Sequence, residues 1–179
     1  MMKKSLLLTI IISSIVVVSV TSLGIYFGVF YEKEQLPHPD GTWAIRISGK
    51  LISTNFNISI NELIAMPYHK ENYVIKGSTT ETIEYKGVSL SYLLNNIINY
   101  NESAVQVNFV AFDEYIIPYS IEDLLANERI ILAYERDGEY LEGPDVGGSG
   151  YLRLIVPQSS PEDYNGPFCL KNLVELEIV

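Results

Sequence analysis

The feature that most constrains the fold is a glycine-rich loop between two apolar segments, within residues 133 to 157. The first segment ends in an Asp137-Gly138 turn, and the second, Tyr151 to Val156, ends on proline. Apolar segments that end at turn residues or at proline in this way predict two strands. The loop glycines let backbone N–H groups approach a bound group closely, and Arg153 follows at once, which suits an anionic ligand. A flexible connection between two core strands has the same composition, so both interpretations stay open.

Short apolar runs separated by turn signals continue along the chain from Trp43 to Val179. Serine residues placed before apolar residues at helical spacing predict short helices after Ser59, Ser89 and Ser120. Many short strands with few short helices predict an α+β domain dominated by sheet. The runs that predict strands are 43–47, 73–75, 79–85, 105–110, 115–118, 130–134, 151–156 and 173–179. Leu51 and Ile52 are expected to continue the first strand after Gly49, and the run 115–118 is expected to pair with 105–110 across a turn at Asp113-Glu114.

The first 30 residues have a composition of their own. Lys3 and Lys4 precede an uncharged stretch, Ser5 to Phe30, which as a helix is long enough to cross a hydrocarbon core of about 30 Å. We expect an uncleaved anchor with the lysines in the cytoplasm and the body outside, although small residues at Ser19 to Ser22 leave cleavage open. The predicted organisation is a transmembrane anchor over 1–30, a stalk over 31–42 and one domain over 43–179.

The charge balance and the cysteine content limit the classes of function that the chain can have. Because Lys3 and Lys4 are the only charged residues up to Phe30, the rest of the chain carries 22 acidic against 10 basic residues. This balance argues against nucleic acid or an anionic membrane surface as partner. Cys169 is the only cysteine, so no intramolecular disulfide forms, and its apolar neighbours predict a buried side chain. Asn57 and Asn101 begin glycosylation sequons that an outward-facing domain would expose.

Six segments occur in an order that resembles the molybdopterin-binding domain of the sulfite oxidase family, over about residues 43 to 179. The resemblance implies the sheet-rich α+β fold of that domain, a molybdopterin cofactor and oxidoreductase chemistry. The segments are W-x-I-x-I-x-G from Trp43 to Gly49, a short helix ending in Met66-Pro67, Tyr85 to Leu90 followed by a leucine-rich helix, Ala111 to Pro118, Leu132 to Leu141, and Gly150 to Pro157.

The same resemblance assigns site residues and reveals a departure from the family. Catalytic members ligate molybdenum through a cysteine thiolate in the interval that here runs from Tyr73 to Tyr85, which contains no cysteine. Lys76, Gly77 or Ser78 stands near that position, and none is a good substitute for a soft thiolate. Arg153 and Lys171 match basic contacts to the pterin phosphate. The predicted cofactor-binding residues are Gly147, Gly148, Ser149, Arg153 and Lys171.

Other chemistry finds little support in the sequence. His38 and His69 belong to no zinc pattern, and no serine lies in a nucleophile elbow. The acidic pairs lack the spacing of a calcium loop. Five tyrosines near the glycine loop in sequence could supply stacking faces for a flat ring, or could simply pack on strand faces. They are Tyr115, Tyr134, Tyr140, Tyr151 and Tyr164.

Three interpretations follow. The preferred one is a membrane-anchored extracytoplasmic domain that binds a pterin or another small anion without catalysis. The second is a molybdenum-cofactor oxidoreductase with an altered metal ligand, working with a redox partner protein. The third is a structural or partner-binding module that retains only the fold.

Overall fold

The computed structural model describes residues 43–144 and 147–179. The predicted anchor and stalk, residues 1–42, lie outside this part of the chain. Within it, no helix is both long enough and apolar enough to cross a membrane.

The described residues form mainly strands, together with three short α-helices and a 3-10 turn. This confirms the predicted sheet-rich α+β class. The strands are β1 Ala44–Gly49, β2 Phe56–Ser59, β3 His69–Lys76, β4 Thr80–Ser89, β5 Gln106–Ala111, β6 Ile116–Ser120, β7 Ile131–Arg136, β8 Glu139–Tyr140, β9 Arg153–Ile155 and β10 Leu173–Ile178; the helices are α1 Ile60–Ala65, α2 Leu90–Asn96 and α3 Ile121–Ala126, and the 3-10 turn is Gly166–Phe168.

Two sheets organise these strands. The first has the order β2-β1-β10-β5-β6, and the second has the order β3-β4-β7-β8 with β9 also paired to β7. The closing strand β10 runs parallel to β1 and antiparallel to β5, so the two ends of the described domain meet in the middle of one sheet. Leu51 and Ile52, expected to prolong the first strand, instead follow its end at Gly49, and Ile52 forms only an isolated bridge to Tyr100.

The buried apolar residues divide between the two faces of the second sheet. The main core takes residues from both sheets and from the helices, including Ile45, Leu93, Leu132 and Leu154. A second core lies on the opposite face of the second sheet, because neighbouring strand residues point to opposite sides. It consists of Tyr73, Ile75, Ile83, Tyr85, Ile131, Ala133, Ile155 and Cys169.

Local signals in the sequence fix the helix starts. The hydroxyl of Ser59 accepts from the backbone N–H of Glu62, and the Glu62 carboxylate accepts from the N–H of Ser59, which is the predicted capping box. The hydroxyl of Ser120 caps α3 by accepting from the N–H of Asp123, and it donates to the Asp123 carboxylate. At α2 the Ser89 hydroxyl makes no cap and pairs instead with the hydroxyl of Ser91.

A bulge interrupts the pairing of β4 with β7. Lys86 pairs with Glu135 and Gly87 with Ala133, so Tyr134 is the extra residue on β7. A Cβ on Gly87 would lie 2.2 Å from the backbone oxygen of Leu132. Only glycine lets the two strands approach so closely at this point.

Candidate functional site: a buried arginine on the second sheet

Arg153 begins β9 and is buried, with 7% of its surface exposed. Its register partner on β7 is Ala133, and it alternates with Leu154, which points into the main core. Arg153 therefore projects toward the second core. There its Nη1 donates a hydrogen bond of 2.8 Å to the hydroxyl of Tyr85, and its guanidinium carbon lies 5.6 Å from the centre of that ring.

The charge of Arg153 is poorly compensated. Among residues 43–144 and 147–179, no carboxylate forms an ion pair with it, and its buried Nε has no hydrogen-bond partner. Burial of Tyr85 raises the pKa of its phenol, while the Arg153 charge works in the opposite direction, so the phenol stays neutral at pH 7. A buried cation next to a neutral hydroxyl is costly, and an anion is the group that would offset the cost.

The predicted glycine loop is closed on itself. The N–H of Gly147 donates to the Pro144 oxygen at 3.1 Å, and the N–H of Gly148 donates to the Gly143 oxygen at 2.9 Å. The N–H of Gly150 likewise donates to the Glu142 oxygen at 3.0 Å. An anion would have to take over these N–H groups from carbonyl oxygens, so their role in binding stays a prediction.

The glycines of this loop have a packing role in addition. A Cβ on Gly148 would lie 2.1 Å from the Glu142 oxygen, and one on Gly150 would lie 2.3 Å from the Cα of Asn172. Gly147 and Gly150 also adopt positive φ values of 84° and 98°. Ser149 between them is half-buried. The run of glycine is therefore explained in part by chain geometry alone.

Lys171 lies apart from the buried environment of Arg153. It is exposed, in the connection between the 3-10 turn and β10. Its backbone neighbour Leu170 accepts a hydrogen bond from the N–H of Leu154, so this connection runs beside β9. The structure thus brings Lys171 to the strand that carries Arg153, with its charge in solvent.

The residues at the position expected for the metal-ligating cysteine form the turn between β3 and β4. Lys76 ends β3, and its Nζ lies 3.4 Å from the Pro161 oxygen and 3.6 Å from a carboxylate oxygen of Glu162. Gly77 donates its N–H to the Thr79 oxygen, and Ser78 is exposed. This turn offers an ammonium, a hydroxyl and backbone groups as donors.

The thiol of Cys169 is buried and hydrogen-bonded to the backbone. Cys169 is 4% exposed; its Sγ accepts from the N–H of Val156 at 3.4 Å and donates to the oxygen of the same residue at 3.6 Å. Burial raises the pKa of this thiol, against a smaller lowering from the Val156 N–H and the Arg153 charge. The predicted burial of Cys169 is confirmed. The residues present do not supply an accessible thiolate for molybdenum, and the described residues contain no cluster of three metal-ligating side chains.

The five tyrosines do not form one stacking surface. Tyr134 is buried in the main core, with Tyr140 6.4 Å away between ring centres. Tyr151 stacks on Trp43 at 5.8 Å, and Tyr115 and Tyr164 are exposed. Tyr164 belongs to the loop that contacts Lys76, so it is the member of the set that lies near the β3–β4 turn.

Two residues of the site were not singled out from the sequence. Tyr85 holds Arg153, and Asn165, 1% exposed, joins three segments through its amide. Its oxygen accepts from the Lys76 N–H, and its nitrogen donates to the oxygens of Val74 and Val156. The only signal for Asn165 was the turn-forming run Asn-Gly-Pro, which does not name the partners.

Comparison with known proteins supports the same family. The family model described as the oxidoreductase molybdopterin binding domain matches residues 33–177. The structure is similar to the sulfane dehydrogenase SoxCD from Paracoccus pantotrophus, with a TM-score of 0.61 and 18% sequence identity. The match covers 75% of this chain and 37% of that chain, so this protein spans well under half of its relative. No curated protein sequence matches the chain.

At 18% identity the SoxCD likeness concerns the fold, whereas the family model spans most of the chain. The order of strands and short helices and the family match agree on one assignment. The protein belongs to the oxidoreductase molybdopterin-binding domain family.

Proposed function

We propose that this protein is a noncatalytic domain that binds a small anion, either the phosphate of a pterin or a free oxyanion, through Arg153. The observation that carries the proposal is the buried guanidinium with Nε unsatisfied and no carboxylate paired to it among the described residues. An oxyanion can accept from two N–H groups of one guanidinium at once. The Nη1 of Arg153 already donates a hydrogen bond to Tyr85, and this bond fixes the orientation of the remaining donors.

The donor set supports a role without metal chemistry. Cys169 is bonded to the backbone and has a raised pKa, and the β3–β4 turn presents Lys76 and Ser78 where a thiolate would be needed. Arg153 fits the anionic part of the cofactor, whereas none of these groups fits the metal.

The remaining predicted contacts are part of the same proposal. Lys171 would add a second positive charge from the solvent side, and Gly147, Gly148 and Ser149 would contribute only if the loop exchanged its internal hydrogen bonds. The domain would be held at the outer surface of a membrane by residues 1–30, as their composition predicts.

Cofactor analysis tests the noncatalytic part of the proposal. The full chain, purified in detergent from a host that makes and exports the molybdenum cofactor, is assayed for metal and for fluorescent pterin. We expect no stoichiometric molybdenum. One molybdenum with one pterin per chain would overturn this part and support the oxidoreductase alternative.

Anion binding tests the role of Arg153. Phosphate and sulfate should raise the melting temperature of the full chain, because a ligand bound only to the folded state stabilises it. Arg153→Gln should abolish this shift, whereas Arg136→Gln should keep it, because Arg136 is an exposed residue paired with Glu81 and Asp137. An undiminished shift in folded Arg153→Gln protein would remove Arg153 from the site.

A further inference from the structure

A cavity of about 280 Å³ lies between residues 67–69, where β3 begins, and the length of α2 with its cap. One wall is Pro67, Tyr68 and His69, and the other is formed by α2 and its cap. The lining contains hydroxyls, amides, an imidazole and one carboxylate, but neither lysine nor arginine. The residues on the second wall are Ser89, Ser91, Tyr92, Asn95 and Asn96, with Glu128 at the side.

We propose that this cavity binds a small neutral polyhydroxyl ligand of monosaccharide size. Its volume is near the lower limit of about 300 Å³ for ligand sites, so the ligand must be small. The absence of lysine and arginine from the lining disfavours an anion, and the polar lining disfavours a hydrocarbon. Hydroxyls and carboxamides both donate and accept, as the hydroxyl groups of a sugar require.

The wall that contains Tyr68 is held in place by two ion pairs. The ring of Tyr68, 61% exposed, lies 4.9 Å from Nζ of Lys86, which is bonded to Glu135 at 3.0 Å. The imidazole of the next residue, His69, is 3.0 Å from a carboxylate oxygen of Glu71. Arg129 holds that carboxylate with two bonds of 3.0 Å and 2.8 Å. A wall fixed before binding loses little freedom when the ligand arrives.

The opposite wall presents two hydroxyls paired with each other and one amide that has no partner among the described residues. The Ser89 hydroxyl, placed to cap α2, bonds to the Ser91 hydroxyl at 2.8 Å instead of to the helix backbone. Ser91 is buried, so this hydroxyl pair is fixed at the base of the wall. The exposed amide of Asn95 has no hydrogen-bond partner among the described residues, in contrast to Asn96, which donates to the Tyr92 oxygen. The exposed ring of Tyr68 supplies an apolar face against which a sugar ring can pack.

Saturation-transfer NMR on the full chain in detergent tests the proposal. The probes are D-glucose and D-galactose as neutral sugars, glucose 6-phosphate as an anion and choline as a cation. We expect transfer to at least one neutral sugar and a weaker signal from the charged probes. Transfer to choline alone, stronger binding of glucose 6-phosphate than of glucose, or no transfer to any probe at millimolar concentration would overturn the proposal.

Variants then locate the site. Ser91→Ala and Asn95→Ala should each raise the dissociation constant about five- to tenfold, as expected for one lost hydrogen bond. Asn99→Ala, an exposed residue outside the lining, should leave it unchanged. Asn95 is on the surface, so its variant stays folded even where Ser91→Ala does not. Affinities equal to that of the wild type in both Ser91→Ala and Asn95→Ala would place the sugar elsewhere.

Discussion

The side-chain oxygen of Asn165 accepts a hydrogen bond from the backbone N–H of Lys76 at 2.9 Å, across 89 positions of sequence. The amide nitrogen of the same residue donates to Val74 at 3.0 Å and to Val156 at 2.8 Å. One buried amide thus joins the end of β3, the residue after β9 and the loop that precedes the 3-10 turn. These elements surround the second core, which contains the neighbours of Arg153.

Asn165→Ala should therefore destabilise the fold. The substitution removes one hydrogen bond from a backbone donor and two to backbone carbonyls, and since each hydrogen bond contributes about 1 kcal/mol, we expect a loss of about 3 kcal/mol. Urea denaturation measures the change. Asn55→Ala, at an exposed loop position, is the control and should be near neutral. A loss in Asn165→Ala no larger than that of the control would show that the amide does not clamp the segments.

The bulge at Gly87 gives a second stability prediction. Gly87→Ala places a methyl group 2.2 Å from the Leu132 oxygen, a contact that requires backbone movement, and we expect a cost of about 3 kcal/mol or more. Gly77→Ala is the matched control, because its Cβ would meet only the Thr79 oxygen at 3.9 Å and should change stability by no more than about 1 kcal/mol. Similar melting temperatures for the two variants would contradict the bulge geometry.

Sequence reasoning predicted what is set by neighbouring residues. The Ser59 capping box, the helix after Ser120 and the turns at Asp113-Glu114 and Asp137-Gly138 are all present, since each depends on a few adjacent side chains. Glu114 and Asp137 adopt positive φ at 68° and 51°, as tight turns between paired strands require.

What depends on distant segments could not be predicted in this way. Nothing local in β10 reveals that it lies parallel to β1, and nothing near Arg153 reveals that Tyr85 is its partner. The glycine loop predicted open N–H groups, yet whether these face a ligand or the carbonyl of Glu142 is decided by the folded loop. The order of segments shared with the family predicted the fold. The contacts made by each site residue could be learned only from the structure.

Tyr85→Phe tests how Arg153 is held. The variant removes the acceptor of a hydrogen bond from a charged donor, which contributes about 1.5–3 kcal/mol, and we expect a loss of stability in that range. Tyr115→Phe, at an exposed position, should have no measurable effect. If Arg153 is also the anion contact, phosphate should recover part of the stability lost in Tyr85→Phe. Stability equal to that of the wild type would indicate that Arg153 is satisfied elsewhere.

The thiol of Cys169 should be inert in the folded protein. Its burial and raised pKa keep the reactive thiolate scarce and inaccessible, so reaction with Ellman's reagent at pH 8 should be at least about a hundredfold slower than in urea. The measurement is the rate of absorbance change for the full chain with and without denaturant. Rapid reaction of the folded chain would show an open thiol and would revive Cys169 as a possible metal ligand.

The ion pair between Glu71 and Arg129 predicts a loss of stability in acid. The hydrogen bond from Arg129, with a smaller one from His69, lowers the pKa of Glu71 below its usual value. A carboxylate whose pKa is lower in the folded state stabilises the fold above its unfolded pKa of about 4.3 and loses that contribution as the pH falls through the folded value. Both side chains are more than a third exposed, so we expect the ion pair to stabilise the fold by only about 0.5–1 kcal/mol at neutral pH.

Urea denaturation at pH 7 should show Glu71→Gln to be less stable than the wild type by this amount, with the difference shrinking below pH 4. Glu162→Gln, almost fully exposed, is the control and should follow the wild type, and a Glu71→Gln difference that persists in acid would assign its effect to packing.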